Sequence, residues 1–441
     1  IDYSNGVNLE NVVITNATVS GLLDSNYGAK TYIIKNCEIN SINIWERAAA
    51  KTTTFKFEGV NTVNALTTSQ YAKFYGTQAG TKIYGKLADA VAAEASVKLL
   101  GNETGAGVVI NKDITIDFNG NTYTFNEGVG STGTASNGFQ ILAGNTVTLN
   151  NGTLNVAESA ANKFYILVQN YANLNVVDMT LDGTNLDKWS LTDGDSYVLS
   201  NNSGMVNISG NTSIKANNDG DLAFAFDACD KSQYYALPTV TVNTTGEITG
   251  KIEVSATLIV ENGIDNTKPI NINGVNGKVY GTNLNVTTSI ENYIVSYNDV
   301  EEYYFIQGTQ VAEISEGWNW FSHYRSTDVL GQLQSKLQGH GANLIKTQSA
   351  FTQYKNNAWS GNLTSTNPAE MYMIHNNEDV TINIEGEVVN PADYPIGFHR
   401  LWNWIGYPLT EELSVSQALN GLTATNGDII KDHGGSYAPD R

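Results

Sequence analysis

The sequence predicts a mainly β protein, a solenoid of stacked rungs followed by small β-rich modules with one short helix each. Three observations carry this reading. Short β-branched runs, each closed by Asn, Asp or Gly, recur between Val108 and Ile214, at Ile114–Ile116, Val147–Leu149, Leu174–Val176 and Val206–Ile208. A second series alternates with the first, at Val108–Ile110, Ile141–Leu142, Tyr165–Leu167 and Tyr197–Leu199. Of the 441 residues 54 are Asn and 41 are Gly, and both favour tight corners and left-handed backbone, so many short strands joined by turns are expected.

The chain exceeds one ordinary domain, so two or three structural units are expected. Lys and Arg total 24 against 44 Asp and Glu, a net charge of −20. Such a surface repels phosphate backbones and anionic headgroups, which disfavours nucleic-acid and membrane-surface partners. No apolar run approaches bilayer-spanning length. Cys37 and Cys229 are the two cysteines. In a stacked fold they lie too many rungs apart for a disulfide and are expected to be small buried side chains. Residue 1 is Ile with no basic or apolar leader after it, so a signal peptide, had there been one, is expected to have been removed. Low Arg and Cys with high Asn, Thr and Tyr suit a secreted or cell-surface bacterial protein.

Residues 1–76 open with a repeat: Val13–Val19 aligns with Ile33–Ile39 at an offset of 20, with a looser third copy at Phe55–Val60. A repeat of this length reads as stacked rungs, with Asn16 and Asn36 at equivalent corners. Within 77–290, Leu87–Ala95 has helical composition, and a helix near 86–95 is expected to cap a solenoid whose strand edges would otherwise stand open. That makes 1–76 the end of a preceding unit or an extra layer, unless the helix interrupts one continuous solenoid. From Val108 to about Val286, equivalent positions fall at Ile116, Leu149, Val176, Ile208 and Val242. Gly120, Gly152, Gly183, Gly210 and Gly246 follow the strands and are expected to share a corner of positive φ.

These residues resemble the pectate-lyase-like right-handed parallel β-helix superfamily, in the form found in surface proteins of Bacteroidetes. The resemblance rests on Leu87–Ala95 followed by Val97–Leu100 and Ile114–Thr122, and covers roughly half the chain. It implies a right-handed parallel β-helix, and by analogy of fold alone no activity.

Residues 291–312 read as connecting strands. A different module follows at 313–390, with a second, truncated copy at 391–441. Trp318-Asn319-Trp320-Phe321 matches Trp402-Asn403-Trp404-Ile405, and Leu344–Lys346 matches Ile429–Lys431. Leu330–Leu337 and Val415–Leu422 each read as a short helix. The second copy ends at Arg441 without counterparts of Trp359 and Met371–Ile374, so it is expected to be incomplete and loosely packed. The pattern resembles small modules repeated near the C-termini of Bacteroidetes extracellular proteins, a likeness that transfers no activity.

Lyases of the β-helix type need a base, usually Arg or Lys, beside a carboxylate-held Ca²⁺, and inverting glycosidases need paired carboxyls. Arg47, Arg325, Arg400 and Arg441, and the histidines at 323, 340, 375, 399 and 433, all lie outside the main solenoid. The catalytic candidates, if the chain is an enzyme, are therefore Asp193, Asp195, Asp219 and Asp221, with Lys163, Lys188, Lys215 or Lys231 as base. Asp-Gly-Asp is equally the sequence of a solvated turn. Asp219 and Asp221, in the loop Asn217–Asp221, are the candidate Ca²⁺ ligands; no other cofactor is expected. Trp318, Trp320 and Trp359 are the candidate glycan-binding residues, against the bland expectation that Trp318 and Trp320 form module core. The favoured reading is a non-enzymatic extracellular or cell-surface protein of structural or adhesin type, presenting its solenoid to a glycan, host or partner protein. The alternatives are a polysaccharide lyase or glycoside hydrolase of the same fold, and a trimeric phage fibre or tail spike.

Overall fold

The computed structural model describes residues 11–24, 31–44, 52–67, 69, 71–130, 135–161, 163–187, 195–217, 223–338, 344–411, 413–419, 422–423, 425, 427–432 and 434–438. The chain is mainly β and divides into two compact units. The first is Ile1–Ser289 with Tyr297–Phe305; the second is Ile290–Ser296 with Ile306–Arg441.

The first unit is built from parallel ladders in which each strand pairs with its counterpart one repeat later. An eight-stranded ladder runs Val108–Ile110, Asn137–Ile141, Ile166–Asn170, Ser196–Asn201, Ala223–Ala228, Lys251–Val254, Pro269–Ile272 and Asn285–Thr287. A second ladder runs from Ser96–Leu99 through Ile114–Asp117 and the first halves of Thr146–Val156 and Asn173–Asp182. It continues through Met205–Gly210, Thr239–Thr244 and Thr257–Asn262 to Lys278–Tyr280. The second halves of the two long strands join Glu103–Ala106, Thr122–Glu127, Ser213–Lys215 and Ile248–Thr249 in a third. Parallel pairing leaves a long connection between successive partners, and here the other two ladders supply it.

Register follows the apolar columns. Ile116, Leu149, Val176, Ile208 and Val242 are consecutive partners, as the sequence spacing predicts, and all are fully buried. Each such side chain removed from water contributes about 1.5–3 kcal/mol. A one-residue slip would turn the whole column to solvent, so burial enforces the register. On the opposite side of these strands Thr148, Asn175 and Asn207 form a polar row, in which Asn207 Nδ2 donates to Asn175 Oδ1 at 2.9 Å and Asn175 Nδ2 to Thr148 Oγ1 at 3.3 Å.

The corners only partly follow the glycine pattern. Gly120 and Gly210 have φ of 75° and 68°, but Gly152, Gly183 and Gly246 are outside the left-handed region. These three are small because of crowding: a Cβ on Gly152 would meet the Phe118 side chain at 2.2 Å, and one on Gly246 the Thr212 carbonyl at 2.2 Å. The shared left-handed corner is held instead by Asn151, Asp178 and Gly210, at φ of 57°, 52° and 68°. Asn151 leads to Asp178, and Gly210 pairs onto Asp178 with Asp178 Oδ1 accepting from Asn211 N–H at 2.8 Å.

Near the N-terminus, Asn11–Thr15, Thr31–Lys35, Thr53–Glu58 and Ala72–Tyr75 form a four-stranded parallel sheet with Val13 opposite Ile33. Asn16 and Asn36 occupy equivalent left-handed corners at φ of 50° and 51°. The helix Leu87–Ala93 buries Leu87, Ala90 and Val91. Lys82–Tyr84 before it pairs with Val60–Leu66, and Ser96–Leu99 after it opens the second ladder, so both flanks of the helix belong to one compact unit. Both cysteines are free; Cys37 is buried, whereas Cys229 is only half-buried.

In the second unit, Gly317–Phe321, Tyr372–Asn376, Leu344–Lys346, Phe351–Lys355 and Ala358–Gly361 form an antiparallel sheet. The helix Val329–Leu337 packs Val329, Leu330, Leu333 and Leu337 into a core with Phe321, Ile345, Tyr372 and Ile374. Trp318 and Trp320 stay out of that core and are each 39% exposed, contrary to the expectation that they fill it. On this strand Phe321, one residue on, takes the buried side. The second copy retains a four-residue helix, Val415–Ala418, and a short hairpin of Ile430–Lys431 with Ser436–Tyr437.

Candidate functional site

The eight-stranded ladder carries an irregularity that builds a site. In its central strands burial does not alternate: Leu167 and Val168 are both buried, as are Val198 to Asn201 and every residue of Asn137–Ile141 and Ala223–Ala228. Strand pairing slips between Phe224 and Phe226, the mark of a bulge. Residues three apart therefore reach the same outer side. Asn137 and Gln140 both donate to Gln169 Oε1, at 2.8 and 3.2 Å. One strand on, Tyr197 stacks on Phe224 with ring centroids 4.8 Å apart. Ser200 Oγ donates to Asp227 Oδ2 at 3.2 Å.

Asp227 is the buried centre of this face, 6% exposed. Its Oδ1 accepts from Asn201 N–H at 2.5 Å. Asn201 lies on the inner side of the same strand as Ser200, wholly buried, with its Nδ2 donating to the Asp227 carbonyl at 2.9 Å. Register sets Glu253 directly beside Asp227 on the next strand. Tyr197 Oη lies 3.4 Å from both Asp195 Oδ2 and Glu253 Oε2, so its single O–H donates to one carboxylate or the other.

Burial pushes the Asp227 carboxyl up to about 7, the Glu253 charge adding to it while the Asn201 and Ser200 hydrogen bonds oppose it. Burial likewise raises Glu253, followed by the charge of Asp195. The Tyr197 phenol is raised by burial and then by Glu253. Cys229, two residues past Asp227, is pushed up to about 11 by burial, with Asp227 contributing and Lys231 opposing. The result is a buried face that lifts the Asp227 and Glu253 carboxyls above their ordinary range and flanks them with amides and two stacked rings.

Of the sequence-predicted acids Asp195 falls among the described residues, and it joins this cluster. Asp193, Asp219 and Asp221 lie outside the described residues, as do Lys188 and the middle of the Asn217–Asp221 loop, so the Ca²⁺ proposal lies outside them as well. Among the described residues no group of three or more His, Cys, Asp or Glu is placed to hold a metal ion. Lys231 is near Asp227 and Cys229. Sequence reasoning missed Asp227 and Glu253. A charge inside the apolar run Ala223–Ala228 was a visible signal, but its pairing with Glu253 depends on register.

The tryptophan candidates belong to the second unit. Lys346 Nζ sits 4.7 Å from the Trp318 ring centroid and 5.8 Å from that of Trp404, and Trp318 also meets His375 edge-on. Trp359 instead packs against the module core and donates Nε1–H to the Gln334 carbonyl at 3.1 Å. No helix among the described residues is long and apolar enough to cross a membrane. Comparison of the chain with known protein families, with curated protein sequences and with solved structures finds no match.

Proposed function

We propose that the first unit is a right-handed parallel β-helix of the pectate-lyase-like kind on a secreted or cell-surface bacterial protein. On this reading the protein acts without catalysis, binding a glycan along the outer face of the eight-stranded ladder while the C-terminal modules serve as spacer or attachment. The observation that carries it is the polar row along consecutive strands, in which the part-exposed Gln169, Glu253 and Asn271 are backed by the buried, hydrogen-bonded Gln140, Ser200 and Asp227, beside the Tyr197–Phe224 stack. Strands about 4.8 Å apart make this a linear series of hydrogen-bonding groups next to an aromatic face, the chemistry that hydroxyl-rich chains need. A glycan array probed with the intact protein tests it. Binding that falls in Tyr197→Ala and Glu253→Gln supports the reading; no binding to any glycan, or binding indifferent to both changes, sinks it.

The hydrolase reading draws on one specific observation, the Asp227 carboxyl raised to about 7 beside Glu253. A split pair of carboxyls is how acid and base roles are separated. Against it, both Asp227 oxygens are already engaged by Asn201 and Ser200, and the side chain is 6% exposed, which withholds it from a substrate. Release of reducing ends from a polysaccharide panel, abolished in Glu253→Gln, would reverse this preference.

A further inference from the structure

A cleft of about 590 Å³ lies elsewhere on the first unit, over the outer side of the four-stranded sheet. The sheet's register puts Ile33, Lys56 and Tyr75 in one outward row and Thr31 and Thr54 in the next. The other wall is the segment Asn102–Thr104. The volume falls within the range of about 300–1,000 Å³ typical of small-ligand sites.

The polar groups here are largely uncommitted. Among the described residues Lys56 has no ion pair, and the hydroxyls of Thr31, Thr54 and Thr104 have no hydrogen-bond partner. Asn102 gives its Oδ1 to the Thr122 N–H at 3.0 Å, leaving its Nδ2 as a donor. Glu58 is held only by Lys35 at 3.6 Å, between two half-exposed side chains. The wall is thus a mixture of donors and acceptors, and the Tyr75 ring supplies apolar surface. The Glu58 carboxylate opposes a phosphate or sulfate, and the number of polar groups opposes an apolar ligand. A pyranose ring meets both conditions: each hydroxyl donates and accepts, and the C–H face stacks on an aromatic ring.

We propose that this cleft is a second saccharide site, taking a neutral hexose or N-acetylhexosamine unit, with Lys56, Thr54 and Thr104 as its hydrogen-bonding residues and Tyr75 as its platform. The proposal does not rest on glycan binding at the eight-stranded ladder. Saturation-transfer difference NMR of the intact protein with glucose, galactose and N-acetylglucosamine tests it, using wild type, Lys56→Met, a Thr54→Val/Thr104→Val double variant and Glu253→Gln. Lys56 and Thr104 are exposed, and these changes keep side-chain bulk; an unchanged thermal melt confirms that each variant is folded. At least one sugar is expected to bind. Lys56→Met should weaken it about fivefold, the loss for a hydrogen bond worth about 1 kcal/mol, and the double variant, which removes two such bonds, about twenty-five-fold, while Glu253→Gln leaves it unchanged. No transfer to any of the three sugars, or transfer equal in wild type and both cleft variants, overturns the proposal. Loss in Glu253→Gln alone assigns the sugar to the ladder and overturns it too.

Discussion

Asn319 and Asn403, in the two copies of the C-terminal module, make the same three hydrogen bonds. Asn319 Oδ1 accepts from Ser315 N–H at 2.9 Å while its Nδ2 donates to the carbonyls of Ser315 and Gly317 at 2.7 and 3.3 Å. Asn403 does so with His399 N–H, the His399 carbonyl and the Leu401 carbonyl, at 2.9, 2.8 and 3.1 Å. The Asn between the two Trp residues clamps the turn that precedes the strand. Asn319→Ala should therefore leave backbone groups near Ser315 without their partners and cost about 1–3 kcal/mol. A urea titration of the second unit followed by Trp fluorescence checks this, and an unchanged midpoint would refute the clamp.

The turn also needs a left-handed residue before the first Trp. Gly317 supplies it at φ 93°, whereas the second copy has Leu401 at φ 83° with its side chain 88% exposed. A branched side chain there is strained and buries nothing in return. Leu401→Gly is expected to stabilise the second copy by about 1 kcal/mol, and Gly317→Leu to destabilise the first by at least as much. Hydrogen exchange at residues 402–406 reads the first change; faster exchange in Leu401→Gly would contradict it.

Lys346 lies between Trp318 of its own copy and Trp404 of the next, and Lys431 repeats the first contact over Trp402 at 5.3 Å. Gln348 Nε2 donates to the Trp402 carbonyl at 2.8 Å, and Gly406 N–H to the Ala369 carbonyl at 2.8 Å, so the two copies touch directly. Lys346→Met keeps the stem and removes the charge. It should cost about 0.5–2 kcal/mol and quicken proteolysis between the copies, near 386–400. Identical digestion rates would show that the lysine does not join them.

Stability should fall as the pH rises toward neutrality. Asp227 and Glu103 are each raised to about 7, chiefly by burial, whereas in the unfolded chain they titrate near 4. A raised carboxyl contributes its stability in full below the unfolded value and loses it as the pH passes the folded one. The resistance of the first unit to urea is therefore expected to drop between pH 4 and 8, each acid contributing at most about 1.4 kcal/mol for every pH step of one. Asp227→Asn should remove one part of that slope and Glu103→Gln another. A slope untouched by either change would mean these acids are not raised.

His323 works in the opposite direction. It is 1% exposed, its Nδ1–H donates to the Arg325 carbonyl at 3.1 Å, and burial lowers it to about 4. A lowered histidine contributes stability above its unfolded value near 6.5, lost as the pH falls toward 4. The second unit should thus weaken on acidification over the range in which the first gains. Trp fluorescence, which is concentrated in the second unit, separates the two; melting that strengthens below pH 6 there would exclude this role.

The stacked parallel strands were legible in the sequence because their information is periodic. Ile116, Leu149, Val176, Ile208 and Val242 align by spacing alone since each strand must bury the same face, and Asn16 with Asn36 align because a fixed corner needs a left-handed residue. The Trp-Asn-Trp repeat was visible for the same reason. Tertiary structure alone decided the rest. Two adjacent buried residues, Val198 and Leu199, put Tyr197 and Ser200 on one face, which strict alternation forbids. Register across 26 residues set Glu253 beside Asp227. A long-range pairing leaves no local mark, because its partners are chosen by the packing between strands and not by either strand's own preference. For the same reason Trp318 and Trp320, hydrophobic by composition, ended half-exposed once Phe321 had filled the core beneath them.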